Sequence, residues 1–289
     1  MAKQKKGQKA EDGGLRAELR VPSGPVDLTK YDTRATPGFS GGKADGKAAL
    51  KSLGSEVSDW QERLFAEGRK DGQRSVLLVL QGMDTSGKGG VIRHGAGLMD
   101  PQGLKITSFK APTAAEKRRG FLWRIKQALP EEGIVGIFDR SHYEDVLIAR
   151  VRNLVTPNVW DRRYDQINDF EAELAANGTT ILKCYLHISA DQQRTRLETR
   201  LDDPTKHWKY NPGDVDERKF WPDYMDAYHA AIERCNTPEA PWYVIPSDRK
   251  WYRNWAVTTI LLETLKELDP EWPVADYDIV TEQKRLAAT

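Results

Sequence analysis

The stretch SVLLVLQGMDTSGKGG, residues 75–90, joins seven residues of strand character to a glycine-rich loop and the start of a helical pattern. Residues Gly82 to Lys88 have the spacing G-x-x-x-x-G-K of a P-loop. In such a loop, consecutive backbone N–H groups point at phosphate oxygens and the lysine reaches the outer phosphates. The bare spacing also arises by chance, so the flanking strand and helix carry the prediction of phosphate binding. The predicted phosphate-binding residues of the loop are Gly82, Thr85, Ser86, Gly87, Gly89 and Gly90.

Two residues of this loop depart from the usual P-loop pattern. Gly89 occupies the position where Ser or Thr normally offers a hydroxyl to Mg²⁺, and Asp84 places a carboxylate among groups that hold anions. Because an unpaired carboxylate would repel phosphates, we interpret Asp84 as a metal ligand or as a partner of Lys88. A plain turn-forming role for Asp84 is the alternative.

Strand and helix patterns alternate on both sides of the loop. Strands are predicted at Ser75–Gln81, Leu104–Phe109, Gly133–Phe138, Thr179–Ile188 and Trp242–Ile245. Helices are predicted at 46–69, Lys88–Met99, Thr113–Leu129, His142–Val151, Trp160–Asn177, Ala190–Leu201, Glu217–Cys235 and Lys250–Leu268. Short aliphatic strands separated by helices are typical of a parallel sheet covered on both faces. The sequence therefore predicts one three-layer α/β/α domain over residues 46–289, with a helical N-terminal extension, and a flexible basic, Gly- and Pro-rich arm over residues 1–45.

The composition excludes several classes of protein. The 289 residues carry 44 Lys and Arg against 43 Asp and Glu, and a net charge of +1 gives no global field for a polyanion. No apolar run reaches the roughly 18 residues of a membrane span, and the N-terminus lacks the apolar core of a signal peptide. Cys184 and Cys235 are too few for a disulfide framework and lack zinc-ligand spacing. We expect a soluble, cytoplasmic protein without a membrane or nucleic-acid partner.

A second carboxylate closes the third predicted strand, which runs into DRSHYED, residues 139–145. An aspartate at the carboxyl end of a parallel strand borders the phosphate site of a P-loop fold, so Asp139 and Asp84 together form a candidate Mg²⁺ clamp. A helix cap is the alternative for Asp139. Glu144 and Asp145 are candidates for a second metal or the acceptor's ribose, or simply favour a helix N-terminus. We interpret His142 as structural, because phosphoryl transfer depends on positioning and charge.

The basic residues are unevenly distributed along the chain. Residues 88–126 contain nine basic residues against two acidic ones, a net charge of +7, and the remainder carries −6. Clustering beside a phosphate loop favours a long or highly charged phosphate ligand, with a solvated face as the alternative for residues 117–119. A further basic group surrounds residues 196–217, which we interpret as a lid that brings cations to a transferring phosphoryl group. A surface loop without function is the alternative there.

Five separated motifs, in order, resemble the second family of polyphosphate kinases over roughly residues 45–270. They are QGMDTSGKGG at 81–90, FKAP at 109–112, FDRSHYEDV at 138–146, the segment at 200–208 and APWYVIP at 240–246. The resemblance implies a thymidylate-kinase-like P-loop core with a helical lid. It also implies reversible transfer of the terminal phosphoryl group of inorganic polyphosphate to AMP or ADP. The SHYED version of the third motif resembles the branch that accepts nucleoside monophosphates, with diphosphates as further acceptors.

The resemblance also implies roles for individual residues. Asp84 and Asp139 would hold Mg²⁺, or Mn²⁺ in its place, Lys88 would contact the transferring phosphate, and Arg140 and Arg200 would stabilise charge around it. Polyphosphate would be bound by Arg93, Lys117, Arg118, Arg119, Arg196 and Lys206. The nucleotide would be bound by Lys110, Pro112, Tyr143, Glu144 and Asp145. We further expect a homo-oligomer, a dimer or tetramer, with GMP and GDP as additional acceptors.

Two other functions are compatible with these motifs. An ATP-dependent nucleoside monophosphate kinase would share the loop and the lid. A nucleic-acid or polyphosphate binding protein would use the basic run without turnover. The identity of the phosphoryl donor separates the two kinases, and the presence of turnover separates both from the binding protein.

Overall fold

A five-stranded parallel sheet organises the computed structural model, which describes residues 13–289. Its strands are β1 (Ser75–Gln81), β2 (Leu104–Ser108), β3 (Val135–Asp139), β4 (Thr179–His187) and β5 (Trp242–Pro246). Their order in the sheet is β2-β3-β1-β4-β5, and every neighbouring pair is parallel. The five strands predicted from the sequence are confirmed, with ends that differ by one or two residues.

Helices connect the strands and cover the sheet. They are α1 (Leu15–Leu19), α2 (Lys43–Ser52), α3 (Gly54–Gly68), α4 (Lys88–His94), α5 (Ala114–Lys117), α6 (Trp123–Lys126), α7 (Ile148–Val151), α8 (Pro157–Ala176), α9 (Ala190–Asp202), α10 (Pro212–Glu217), α11 (Trp221–Arg234), α12 (Lys250–Leu268) and α13 (Ile279–Ala287). Short 3₁₀ turns lie at Leu28–Lys30, Ala96–Leu98, Pro101–Gly103, His142–Asp145, Pro204–Lys209 and Arg218–Phe220. Among the described residues, no helix is both long and apolar enough to cross a membrane.

The two faces of β1 contribute to two separate hydrophobic cores. Leu77 and Val79 pack in the core that contains side chains of α8 and α11. Val76, Leu78 and Leu80 pack in the other core, with side chains of α3, α4 and α12. Successive side chains of a strand point to opposite faces, so a strand buried on both sides reads as a continuous apolar run. The predicted three-layer α/β/α arrangement is confirmed.

Five predicted helices are not continuous α-helices in the structure. The segment predicted at Lys88–Met99 forms α4 and a 3₁₀ turn at Ala96–Leu98, and the segment predicted at Glu217–Cys235 contains a 3₁₀ turn at Arg218–Phe220 before α11. The segment predicted at Thr113–Leu129 forms only α5 and α6, which flank a non-helical stretch that contains Gly120. The segment at His142–Val151 consists of a 3₁₀ turn followed by α7. The helix predicted over residues 46–69 is divided into α2 and α3 at Leu53. Amphipathic spacing predicts which face is buried, and a local glycine or turn decides whether the helix is continuous.

The flexible arm predicted over residues 1–45 differs from the structure in its described part. The carboxylate of Glu263 accepts hydrogen bonds from the backbone N–H groups of Leu15 (2.9 Å) and Arg16 (2.8 Å). The N–H of Val21 donates to the carbonyl of Trp242 at 2.9 Å. Five apolar side chains are buried against the cores: Leu15, Leu19, Val21, Val26 and Leu28. The prediction is wrong for this segment, because burial of spaced apolar residues outweighs the local effect of the prolines. The basic tail of residues 1–12 lies outside the described residues.

The register of the sheet brings the two acidic motifs to one edge. β1 lies between β3 and β4, and Leu80 of β1 pairs with Asp139 of β3. The loop after β1 and the DRSHYED segment after β3 therefore begin side by side. In open α/β sheets, ligands bind at this carboxyl edge where the strand order reverses.

Candidate active site

The loop between β1 and α4 has the left-handed backbone of a phosphate-binding loop. Positive φ angles occur at Gly82 (148°), Thr85 (63°) and Gly87 (112°). Such an angle costs little at glycine but is strained at threonine, and strain of this kind concentrates at functional sites. The hydroxyls of Thr85 and Ser86 are buried and have no hydrogen-bond partner among the described residues. Buried polar atoms normally have partners, so a bound ligand would satisfy these two.

The side chain of Lys88 folds back into the P-loop that precedes it. Its Nζ donates to the carbonyl oxygens of Gly82 (2.8 Å) and Met83 (3.5 Å), and its side chain is buried. Burial, followed by the nearby guanidinium of Arg140, lowers the pKa of Lys88, while Asp84 and Asp139 oppose the shift. The ammonium group is therefore poorly solvated and surrounded by the two predicted metal ligands, which is a suitable environment for an anionic phosphoryl group.

Asp84, Arg140 and Asp139 form the charged centre of the site. Nη2 of Arg140 donates to Oδ1 of Asp84 at 2.7 Å, and Arg140 has a φ of 64°. Burial alone would lower the pKa of Arg140, but the carboxylates of Glu144 and Asp84 raise it above its ordinary value. Asp139 ends β3, and its carboxylate makes no hydrogen bond or ion pair with any residue between 13 and 289. One carboxylate is thus aligned by an arginine and the other has no protein partner.

These two carboxylates fit the requirements of a divalent metal that is shared with substrate. Within residues 13–289, no group of three or more His, Cys, Asp and Glu side chains could hold a metal ion by itself. Mg²⁺ at phosphoryl-transfer sites is commonly held by one or two carboxylates together with substrate phosphates and water. Asp139, Oδ2 of Asp84 and the unpartnered hydroxyl of Ser86 are the available oxygen donors beside Lys88. The donor set therefore suits a metal that binds together with phosphate.

Arg196, predicted to bind polyphosphate, instead stabilises the P-loop through hydrogen bonds to its backbone. Its Nη1 donates to the carbonyls of Thr85 (2.8 Å) and Ser86 (3.0 Å), and its Nη2 donates to those of Ser247 (2.5 Å) and Asp248 (2.9 Å). Its side chain is buried, and burial lowers the pKa of Arg196 to about 10. Both terminal nitrogens are hydrogen-bonded to backbone carbonyls, so the prediction of a phosphate contact is wrong. Arg196 instead links the P-loop to the segment that follows β5.

A second buried arginine, Arg253 of α12, also contacts the P-loop backbone. The sequence analysis did not identify it as a site residue. Its Nη1 donates to the carbonyl of Ser86 at 2.8 Å. A Cβ atom on Gly87 would lie 1.8 Å from this nitrogen, so Gly87 is required for the arginine to approach. Burial, followed by Arg196, lowers the pKa of Arg253 to about 9. The only signal in the sequence is a charged residue within an otherwise apolar helical pattern.

Residues of the predicted lid are paired with one another. Nη1 of Arg200 donates to the carbonyl of Lys209 (2.8 Å) and to Oδ2 of Asp214 (3.1 Å), and Lys206 forms an ion pair with Asp203 at 2.6 Å. Burial, followed by Asp84, raises the pKa of Asp214, whereas Arg200 lowers it. Arg200 is therefore held within the lid by the carboxylate of Asp214 and the backbone of Lys209. The catalytic role of Arg200 stays a prediction, and Asp214 was not identified from the sequence.

A cavity of about 400 Å³ lies beside the DRSHYED segment, on the face of the sheet that α8 covers. Its lining includes Pro112, Glu144 and Asp145 from the predicted nucleotide site, and Lys117 and Arg119 from the predicted polyphosphate site. Burial raises the pKa of Glu144, with Arg140 opposing the shift. The cavity brings together residues that the sequence had assigned to two different ligands.

Asp145, at the base of this cavity, is fixed by two arginines. Its carboxylate lies 3.3 Å from Arg163 and 3.9 Å from Arg124, and its carbonyl accepts a hydrogen bond from Arg163 at 2.8 Å. Lys110 is exposed and is not part of the cavity lining, although its carbonyl accepts a hydrogen bond from Arg124. The structure therefore does not bring Lys110 to the predicted nucleotide site.

Tyr143 does not contact a nucleotide in this fold. Its side chain is fully buried, its hydroxyl donates to Oε1 of Glu171 at 2.9 Å, and Lys183 donates to the same hydroxyl at 2.9 Å. His142 shares this network through its Nε2, which lies 3.0 Å from Glu171. The nucleotide-binding prediction for Tyr143 is wrong, because its motif position reflects support of the DRSHYED segment from the core. The structural interpretation of His142 is confirmed.

A larger cavity, of about 770 Å³, is lined mainly by residues in or next to α2, α4 and α12, on the opposite face of the sheet. Basic side chains dominate its lining, namely Lys43, Lys47, Lys51, His94, Arg249 and Lys250. Arg93 is exposed on α4 next to His94, whereas Lys117 and Arg119 line the smaller cavity and Arg118 is exposed beside them. The basic run predicted as a single polyphosphate channel is therefore divided between two sides of the site.

Comparison with known proteins identifies close relatives over most of the chain. The sequence pattern of the family described as Polyphosphate kinase 2 (PPK2) matches residues 41–273. The AMP/ADP-polyphosphate phosphotransferase of Meiothermus ruber is 48% identical over 252 residues, which are 87% of this chain and 93% of that protein. The ADP-polyphosphate phosphotransferase of Rhodopseudomonas palustris is 40% identical over 269 residues, 89% of this chain and 91% of that protein. The crystal structure of Polyphosphate Kinase 2 from Arthrobacter aurescens TC1 superimposes with a TM-score of 0.93 at 50% identity, covering 96% of this chain and 97% of that one.

Proposed function

The chain belongs to the polyphosphate kinase 2 family, and we propose that it transfers the terminal phosphoryl group of inorganic polyphosphate to both AMP and ADP with Mg²⁺. It is a phosphotransferase with polyphosphate as donor. The finer assignments, namely the two acceptors, the metal and the residues that act, rest on the geometry of the site.

One observation carries the proposal: the charged centre lies at the carboxyl edge of the sheet, and a cavity with basic residues lies on each face of that sheet. Lys88 and Arg140 supply two cations there, and Asp84 and Asp139 supply the oxygens for a metal. A phosphoryl donor and a phosphoryl acceptor are both anions, so a transferase needs positive charge on each side of the transferring group. An enzyme that hydrolysed a single phosphate ester would need only one such side.

The chemistry requires no covalent intermediate on the protein. A terminal oxygen of the acceptor phosphate forms a bond to the terminal phosphorus of polyphosphate, and the bond from that phosphorus to its bridging oxygen breaks. The bridging oxygen keeps the electron pair and becomes the new chain end. Lys88 and Arg140 lower the barrier by stabilising the negative charge on the moving group. A bound Mg²⁺ would add further charge stabilisation between Asp84, Asp139 and the phosphates.

The smaller cavity is the site that we assign to the acceptor nucleotide. It adjoins the DRSHYED segment, and Arg163 and Arg124 hold Asp145 in place at its base. Lys117 and Arg119 offer cations for one phosphate or two, which supports the use of both AMP and ADP. Their long side chains adapt to either acceptor because they are exposed.

The direct test is a donor and acceptor panel with purified protein. We expect ADP from AMP, and ATP from ADP, when long-chain polyphosphate and Mg²⁺ are supplied, and no ADP from ATP plus AMP alone. Products are separated by chromatography, and GMP and GDP are included to measure base preference. Turnover with ATP and AMP in the absence of polyphosphate would instead support the ATP-dependent kinase.

Variants of the charged centre test the assigned roles. We expect Lys88→Met and Asp139→Asn each to lower kcat by about 10²- to 10⁴-fold, because each removes preorganised charge or a metal ligand. Asp139→Asn should also raise the Mg²⁺ concentration needed for half-maximal activity. Asp165→Asn, at an exposed position of α8, is the matched control and should keep wild-type activity. Normal kcat in either variant of the charged centre would contradict its role.

A further inference from the structure

Gln193 is a buried polar residue of α9 that faces the P-loop. Its side chain is 1% exposed, and both ends of its amide form hydrogen bonds. Nε2 donates to the carbonyl of Asp84 at 3.0 Å, and Oε1 accepts from Nη1 of Arg218 at 2.6 Å. We propose that Gln193 is a positioning residue for phosphoryl transfer, which orients the peptide after Asp84 and links it to the end of the predicted lid. This inference rests on the proposed function, because it assigns a role in the same reaction.

Three consecutive carbonyls of the P-loop accept hydrogen bonds from α9. Gln193 donates to that of Asp84, and Arg196 donates to those of Thr85 and Ser86. Gln193 and Arg196 are three residues apart on the helix, so they lie on one face of it. This face of α9 therefore holds the loop backbone at three adjacent peptides.

The contact with Gln193 also fixes the direction of a backbone donor. In a planar trans peptide, the carbonyl and the N–H of the next residue point in opposite directions. The N–H of Thr85 therefore points away from Gln193, and it makes no hydrogen bond with any residue between 13 and 289. Free N–H groups of a P-loop are the donors that bind phosphate oxygens. The φ of Thr85 is 63°, and strain of this kind persists only where surrounding contacts maintain it.

Arg218 connects the end of the predicted lid to the same part of α9. It directly follows residues 196–217, and its Nη1 also donates to the carbonyl of Ala190 at 3.0 Å. The predicted lid therefore leaves α9 after Gln193 and returns to the first turns of that helix at Arg218. A single amide thus lies between the base of the predicted lid and the P-loop.

The two contacts require an amide side chain. Glutamine carries a donor and an acceptor, whereas glutamate keeps the acceptor for Arg218 but offers no donor to the carbonyl of Asp84. Methionine has a similar size, no donor and only a weak acceptor. The start of α9 is fixed separately, because the N–H and the hydroxyl of Ser189 each donate to the carboxylate of Asp248 at 2.9 Å. Substitutions of Gln193 therefore remove its own contacts without releasing the helix.

Gln193→Met and Gln193→Glu test the contact with the P-loop. Initial rates are measured with long-chain polyphosphate and ADP, each varied while the other is saturating. We expect both variants to lower kcat about 10- to 100-fold, because both lose the donor that orients the peptide after Asp84 and a small misplacement of reacting groups has an effect of this size. KM for ADP should change little, because Gln193 does not line the smaller cavity.

Arg218→Met tests the link to the predicted lid. We expect kcat of this variant to fall in the same range. The double variant Gln193→Met/Arg218→Met should be no slower than the slower single variant, because residues that act through one shared contact have non-additive effects.

Gln192→Met is the matched control for these variants. Gln192 is the adjacent residue of the same type, and its side chain makes no hydrogen bond in the described part of the chain. The control should keep wild-type kcat. Thermal denaturation checks that each variant is folded, and if Gln193→Met is not, the comparison of Gln193→Glu with wild type decides, because glutamate keeps the contact with Arg218.

Three results would overturn the inference. Wild-type kcat in Gln193→Glu would show that the side chain only anchors Arg218. A loss in Gln193→Glu alone, with normal kcat in Gln193→Met, would assign the effect to repulsion by the new carboxylate. Additive losses in the double variant would show that Arg218 acts independently of the P-loop contact. Failure of the proposed function is distinguishable, because wild-type protein would then show no polyphosphate-dependent transfer.

Discussion

Arg196 provides a direct test of whether a cation in a basic segment binds phosphate or supports the loop that does. The structure shows four hydrogen bonds from its guanidinium to backbone carbonyls, two in the P-loop and two after β5. The perturbations are Arg196→Met, which removes all four, and Arg196→Lys, which keeps the charge but has no planar fork to bridge the two segments.

The magnitude follows from these contacts. A hydrogen bond to a charged group contributes about 1.5 to 3 kcal/mol, but four bonds that share one guanidinium are not additive. We expect Arg196→Met to lower the free energy of unfolding by about 3 to 5 kcal/mol, because four buried carbonyl oxygens lose their hydrogen-bond donor. Arg196→Lys can serve only one of the two segments, so it should lose about 2 kcal/mol or more. Both variants should lower kcat, because the loop that positions the phosphates loses its support.

Urea denaturation followed by tryptophan fluorescence measures the stability, and initial rates at varied polyphosphate concentration measure kcat and KM. The matched control is Arg194→Met on the exposed face of the same helix, which should change neither quantity appreciably. The reasoning is refuted if Arg196→Met keeps wild-type stability, raises KM for polyphosphate and is rescued by lysine, since that pattern describes a direct phosphate ligand.

Three further predictions follow from the same site. Gly87→Ala should lower activity by at least 100-fold, because the backbone φ there is 112° and the new Cβ would clash with a buried guanidinium. Gly89→Ser should be tolerated, since no atom lies within 4 Å of a Cβ at that position. Initial rates of both variants provide the check. Tyr143→Phe should cost about 1 to 2 kcal/mol in urea denaturation while leaving KM for AMP unchanged, because the hydroxyl is bonded only within the core. Burial raises the pKa of Glu171, but Lys183 and His142 together lower it below its ordinary value. The ionised carboxylate therefore stabilises the fold above the carboxyl pKa of the unfolded chain, about 4.3. This contribution is lost as pH falls through the lower pKa of the folded state. The stability difference between wild type and Lys183→Met should therefore be largest near neutral pH and decrease in acid, and a difference that grows with acidity would contradict it.

Much of the fold was predictable because its signals are local. Each strand is a short aliphatic run, and each long helix has an apolar face, so strands and helices follow from periodicity. The N-terminal segment was mispredicted because its prolines and glycines indicate a loop, whereas Leu15 and Leu19 are held by residues more than 200 positions away. Helix continuity at 113–129 failed for a related reason, because a local turn interrupts a pattern that predicts only the buried face.

The charged centre was more predictable from the sequence than the residues around it. Asp84, Lys88 and Asp139 lie at the ends of adjacent parallel strands, which the motif order already implies. Arg196 and Tyr143 were misassigned because a motif position does not reveal whether a side chain faces the ligand or the interior. Arg253 and Asp214 were missed because neither lies in a motif with phosphate-binding spacing.

The sequence by itself determined the parallel α/β core, the phosphate loop and the two acidic strand ends, because these depend on residue type and spacing along one or two adjacent elements. Only the tertiary structure decided which cations are available to ligands. The guanidinium of Arg196 is hydrogen-bonded to backbone carbonyls, and that of Arg253 is hydrogen-bonded to the carbonyl of Ser86 and to the side-chain oxygen of Asn254. By contrast, Lys43, Lys47 and Lys51, which the sequence analysis passed over, line the larger cavity. The reason is that the accessibility of a charge depends on what packs against it from distant parts of the chain. The sequence shows where charged residues occur, but only the packing of the fold determines whether a substrate can reach them.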